Sequence, residues 1–114
     1  MNEVEERVRS RMEEHGFPRN LLPDGIVGDQ FDAGSGRFSV TLRRKVDLSV
    51  GGIPVHFAVS VTGVIRQGAI SGLRGVKAKQ GFWIPISGIA VQGSDLMFKV
   101  GPVSKAVPRS AFGV

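Results

Sequence analysis

Between Ile53 and Arg66 the chain alternates with a period of two, and no other stretch constrains the fold as strongly. Ile53, Val55, Phe57, Val59, Val61 and Ile65 share one parity. Pro54, His56, Ala58, Ser60, Thr62 and Arg66 share the other, with Val64 its only large apolar member. Successive side chains of a strand point to opposite faces, so the pattern describes a strand with one buried and one solvated side. Such strands belong to antiparallel sheets. Parallel sheets are covered on both faces and read as continuous apolar runs.

The same period recurs from Ile26 onward. Ile26 to Asp32 and Arg37 to Leu42 are predicted strands joined by AGSG, and Val46 to Val50 is joined to the long strand by Gly51-Gly52. Further strands are expected over Ala69 to Leu73, Val76 to Ile86, Ile89 to Val91, Leu96 to Val100 and Val103 to Val107, with a turn at Gln92-Gly93-Ser94-Asp95. The 16 glycines, many at strand ends, suit corners and bulges of a curled sheet. The expected fold is mainly β, an antiparallel β-barrel or closed β-sandwich of about eight strands, a number at which a barrel interior just fills or holds one small ligand.

One helix precedes the strands, from about Glu3 to His15. Asn2 is placed to cap it, and Glu5 stands three residues on as the capping-box partner. Val4, Val8 and Met12 make a narrow apolar stripe, Gly16 offers a left-handed C-cap and Pro18 prevents continuation. A stripe so narrow predicts a peripheral helix, prone to fray, over residues 1–16, packed on a single barrel domain over 17–114.

A chain of 114 residues fits one domain, and folding at this size hides roughly 65% of the unfolded surface, enough for a core without staples. The absence of cysteine excludes disulfides and cysteine zinc sites. No His, Asp or Glu cluster has ligand spacing, so neither a metal nor a cofactor is expected. No apolar run of about 18 residues is present, so no transmembrane segment is expected. The first residues alternate Glu and Arg where a leader needs an apolar core. The expected location is therefore soluble and cytoplasmic as written, or secreted or organellar if a leader has been removed.

Charge is divided unevenly. Residues 1–36 carry four Arg against eight acids, a net of −4, whereas residues 37–114 carry eleven Lys or Arg against Asp47 and Asp95, a net of +9. A basic region favours anionic partners. These cations are spread over several strands, which also suits a solvated surface.

Catalytic patterns are thin. His15 sits where a helix C-terminus favours a cation. His56 points with the polar parity of its strand and is the one general base on offer, but no G-x-S-x-G elbow accompanies it. The glycines at 68, 72 and 75 do not form a phosphate loop, and no helix follows them. No catalytic residue is assigned.

The constellation with binding potential is Lys77, Lys79 and Trp83. On one unbroken strand from Val76 to Ile86 all three share a face, opposite a core-facing row of Val76, Ala78, Phe82, Ile84 and Ile86. A basic pair beside an indole suits a lipid headgroup layer or a stacked base with its phosphate. The alternative is a core Trp reached through a bulge at Gly81, with solvated lysines nearby. Lys105 and Arg109 flank Val107. They read either as further anion contacts, Lys105 above all, or as edge protection together with Pro108.

GFPRNLLPDGI, GRFSVTL, the stretch from Gly63 to Gly75, GVKAKQGFWIPISGI and VGPVSKAVPRSAF together resemble the plant family called domain of unknown function 538, over roughly Gly16 to Phe112. The resemblance implies a small β-barrel-like domain with an N-terminal helix. It also implies stress-related roles and, as proposed for members, similarity to the lipid-binding half of bactericidal/permeability-increasing proteins, chlorophyll binding or chlorophyll-ester hydrolysis. Many members carry secretory leaders. Lys77 and Lys79 match the family's basic pair and Trp83 its aromatic strand. The expectation is a non-enzymatic binding module for an anionic amphipathic ligand, a lipid or a tetrapyrrole, through Lys77, Lys79, Trp83 and Lys105. The other readings are a protein-interaction domain using a sheet edge or the helix stripe, and a weak chlorophyll-ester hydrolase. Nucleic acid is the least expected partner.

Overall fold

The computed structural model describes residues 3–112. Helix α1 (Glu3–Glu14) is followed by β1 (Ile26–Phe31), β2 (Arg37–Leu42), β3 (Val46–Val50), β4 (Ile53–Arg66), β5 (Ala69–Gln80), β6 (Phe82–Gln92), β7 (Asp95–Val100) and β8 (Val103–Pro108), and a short 3-10 helix (Arg109–Phe112) ends the described chain. The protein is mainly β, with eight antiparallel strands in one sheet, as the alternation predicts. The path runs β1-β2-β4-β5-β6-β7-β8, and β1 does not pair with β8, so hydrogen bonding does not close the sheet.

The long strand organises the rest. One side of β4 pairs with β5; on the other, its C-terminal half pairs with β2 and its N-terminal half with β3. Both neighbours run antiparallel to β4, so β2 and β3 act as one partner strand interrupted at Arg43, Arg44 and Lys45. The register against β5 shifts between Phe57 and Thr62. Val59, expected inward, lies in this irregular stretch and is exposed, whereas Val55, Phe57, Val61 and Ile65 are buried as predicted.

Three predicted strands become two, Ile89 to Val91 joining the end of Val76 to Ile86 in β6. Ala69 to Leu73 and the first part of Val76 to Ile86 form the continuous β5, and the expected unbroken strand instead folds back at Gly81. Gly81 has φ of 83°, a left-handed conformation that L side chains rarely adopt. The turn also moves Phe82 out of the predicted core row. It stands at the hairpin tip, 74% exposed, where no layer covers it.

The helix is bound more firmly than its narrow stripe suggests. Val8 and Met12 are buried and Val4 packs partly against the same core. Its end has the predicted closing geometry: Phe17 N–H donates to Met12 C=O at 2.9 Å and Gly16 N–H to Glu13 C=O at 3.0 Å. In addition Arg9, only 2% exposed, donates to the carbonyls of Arg19 (2.6 Å), Leu22 (3.1 Å) and Pro23 (3.3 Å). It also pairs with Glu5 at 3.5 Å and Asp24 at 3.1 Å. Glu5 accepts the N–H groups of Gly25 and Ile26 at 3.2 Å each, so its carboxylate joins α1 to the start of β1. Asn2, the other half of the predicted capping box, lies outside the described residues.

The sheet wraps around a filled interior. Val8 and Met12 of α1, Val40 of β2, Val61 of β4, Leu73 of β5 and Ile89 of β6 all border one apolar cavity of about 40 Å³. A second, of about 20 Å³, lies between β3 and β8, beside Val50 and Val107.

Candidate functional site: a cationic aromatic face

The hairpin at Gly81 assembles the face. Gln80 pairs with Phe82, Lys79 with Trp83 and Lys77 with Pro85, at equal steps on either side of the glycine. A fold about one residue preserves parity, so Lys77, Lys79 and Trp83 share the outer face although they stand on two strands. The Lys79 ammonium lies 6.0 Å from the centroid of the indole, at the outer limit for a cation–π contact. Across the next ladder His56 of β4 faces Lys77. Its ring meets Trp83 edge to face, with centroids 6.1 Å apart and planes at 65°. Its Nδ1 lies 2.7 Å from the Asp47 Oδ1 of β3. Four strands thus contribute Asp47, His56, Lys77, Lys79 and Trp83 to one surface.

Lys105 is placed elsewhere. It pairs with the buried Phe98 and borders the small cavity between β3 and β8, on the inner side of the sheet. Three of the four residues singled out from sequence are brought together, and the fourth is not. Its strand, β8, is an edge, where lysine and Pro108 also limit edge-to-edge pairing.

The electrostatics follow a sharp partition. Among the described residues, Arg7, Arg9, Arg11 and Arg19 each have a carboxylate partner. Asp29, its side chain 3% exposed, alone takes both Arg7 (3.1 Å) and Arg11 (2.8 Å). Among the described residues, none of the eleven Lys and Arg from Arg37 to Arg109 has an ion pair within 4.0 Å. The four N-terminal arginines are thus all paired within their own third of the chain, which keeps a net negative charge, and the positive charge of the sheet is left without ion pairs among the described residues. Lys77, Lys79 and Arg74 are exposed along β5, and Asp47 is engaged by His56.

His56 with Asp47 reproduces the base-orienting half of a nucleophile-activating arrangement. Among the described residues it has no hydroxyl partner, so the half that would attack is not assembled beside it. Further along β6, Ser87 and Gly88 floor an open groove of about 520 Å³ that reaches Lys99 and Ser104. No helix of the described residues is long and apolar enough to cross a membrane. Sequence reading missed Asp47 and Phe82. Gly81, next to the polar Gln80 within an otherwise alternating tract, was the available sign of a turn there.

Fold and face together define a helix-clasped antiparallel β domain whose outer surface gathers unpaired cations around one indole. The chain belongs to the family described as protein of unknown function, DUF538, whose model matches residues 8–113. It is also similar to an uncharacterised protein of Arabidopsis thaliana, At5g01610, at 23% identity over 104 residues. That similarity covers 90% of this chain but 61% of the relative, so the chain spans less than two thirds of that protein.

Proposed function

We propose that this domain is a non-enzymatic binding module for anionic amphipathic ligands, a lipid or a tetrapyrrole carboxylate, held on the outer face of β4, β5 and β6. The observation that carries the reading is two exposed lysines on β5, without acidic partners among the described residues, of which Lys79 directly faces the half-exposed indole and Lys77 stands two residues away on the same face. Lysines supply the charge contact, and the indole suits a boundary between apolar and polar material.

The filled interior supports a surface mode. Ligand pockets span about 300–1,000 Å³, far above the cavity of about 40 Å³ found here. The apolar stripe of α1 is spent on the core, which weakens a partner reading based on that helix.

Flotation with vesicles of phosphatidylcholine alone, or mixed with phosphatidylserine, tests the proposal. Recovery with the acidic vesicles is expected, and its loss in Lys77→Glu/Lys79→Glu. Equal recovery with both vesicle types, unchanged in the double variant, removes the charge-driven reading. A chlorophyllide titration followed by Trp83 quenching tests the tetrapyrrole form.

The His56–Asp47 contact favours a second reading, a weak ester hydrolase with His56 as base. Full hydrolysis of a chlorophyll ester by His56→Ala would eliminate it.

A further inference from the structure

The two ends of the sheet are chemically unequal. Because β2 runs on into β3 along one side of β4, the antiparallel order gathers the β3–β4, β5–β6 and β7–β8 turns at one end. The β1–β2, β4–β5 and β6–β7 turns lie at the other. The second set is small or polar: residues 32–36, Gln67-Gly68 and Gly93-Ser94. The first set carries exposed apolar side chains, Phe82 at 74%, Val103 at 52% and Trp83 at 43%, with Leu48 exposed three residues before Gly51. Strands β3 to β8 hold two acids: Asp95 begins β7 at the polar end, and Asp47 is hydrogen-bonded to His56.

At the apolar end, charge is set back from the tip in steps. A strand rises about 3.3 Å per residue, which places Lys79 about 7 Å and Lys77 about 13 Å behind Gly81. The headgroup layer on each side of a bilayer is on the order of 5–8 Å thick. With Phe82, the partner of Gln80, at the acyl boundary, Lys79 and Trp83 fall about 3 Å behind it among headgroup phosphates, and Lys77 stands about 10 Å behind it, just past their aqueous edge. That order, an apolar tip, then an indole level with one cation, then a second cation, matches the layering of an anionic bilayer surface. The exposed Arg74 and Lys77 along β5 oppose deeper entry, since a spanning barrel needs an apolar outer wall.

We infer that the β5–β6 hairpin docks tip-first on anionic bilayers, seating Phe82 at the acyl boundary, with Trp83 and its ladder partner Lys79 level with each other among the headgroups and Lys77 on their aqueous side. The inference rests on the ligand face proposed above and adds to it the occupant and the depth.

The test compares the wild type, Phe82→Ala, Val103→Ser and Lys77→Glu/Lys79→Glu on vesicles of phosphatidylcholine with and without phosphatidylserine. Binding is followed by flotation and by the emission of the single Trp. Phe82 and Val103 are exposed, so thermal unfolding is expected to be unchanged in their variants. Phe82→Ala is expected to lower partition onto acidic vesicles about tenfold. Lipids brominated on their acyl chains are expected to quench Trp83. Wild-type partition by Phe82→Ala with loss in the lysine variant overturns tip insertion and leaves the charged face standing. Indifference of both variants overturns both. Sedimentation showing a wild-type dimer that Phe82→Ala converts to monomer, with vesicle partition unchanged, makes the tip a contact between copies and also overturns the inference.

Discussion

Lys79 and Trp83 are direct partners across the β5–β6 ladder, with the ammonium 6.0 Å from the indole centroid. The chain has one Trp and no Tyr, so its near-ultraviolet emission reports on the surroundings of Trp83, where Lys79 and His56 stand. Lys79→Ala is expected to move the emission maximum to longer wavelength as water reaches the ring. Exposed cation–π pairs contribute about 0.5–1 kcal/mol, so the urea midpoint should fall only slightly. An unshifted spectrum would show that the lysine does not cover the indole.

Arg9 is the side chain whose loss should cost most. Removing one member of a buried charged network typically destabilises by roughly 3–5 kcal/mol, a large share of a domain's stability. Arg9→Ala is expected to reach that range in urea titration. Replacing both Arg9 and Glu5 by Met should recover little, because the carbonyls of Arg19, Leu22 and Pro23 still lose their donor. Full recovery in the double variant would assign the stability to the charge pair instead.

Acid should loosen the join between α1 and β1. Burial works against the charge of Glu5, but the N–H groups of Gly25 and Ile26 and the Arg9 guanidinium outweigh it and hold the carboxyl below its ordinary value of 4.5. Below that value the unfolded chain takes up the proton first, so stability present above pH 4.5 is lost as pH falls through the depressed pKa of the folded state. Glu5→Gln should be less stable at neutral pH and decline less steeply in acid. Parallel slopes for the two proteins in denaturant titrations across that window would contradict this.

Two glycines should differ sharply in tolerance. Gly75 has φ of 95°, and a Cβ there would run into the Ser60 carbonyl oxygen, at the register shift between β4 and β5. Gly75→Ala is expected to cost more than about 3 kcal/mol. Gly81 has φ of 83° but nothing within 4 Å of a Cβ, so Gly81→Ala meets only the left-handed backbone penalty of about 1–2 kcal/mol. Comparable losses in thermal unfolding would mean that the close approach to Ser60 does not exist.

Much of the fold was legible because burial on one face enforces a period of two. The bounds of β2, β3 and β4 follow directly from where alternation starts and stops. The hairpin at Gly81 was hidden because folding about one residue leaves the parity of both arms intact, so the tract from Val76 to Ile86 still alternates. For the same reason the grouping of Lys77, Lys79 and Trp83 survived an incorrect strand boundary. Phe82 was misread because parity specifies a face but not whether that face is covered at a tip. Arg9 was invisible because its partners are loop carbonyls, which leave no periodic trace. Lys105 was grouped with the outer lysines by charge alone, and pairing with Phe98 turns it inward.

The small size of the interior cavity has a kinetic consequence. A core with room for little more than water has no gate to open and no occupant to expel. Under the proposed function, anything gathered by the outer face would leave without a change in the protein's shape, so residence time would be set by the contacts themselves. A domain of that kind would serve as a reversible collector at a surface, exchanging its cargo rather than enclosing it for transport.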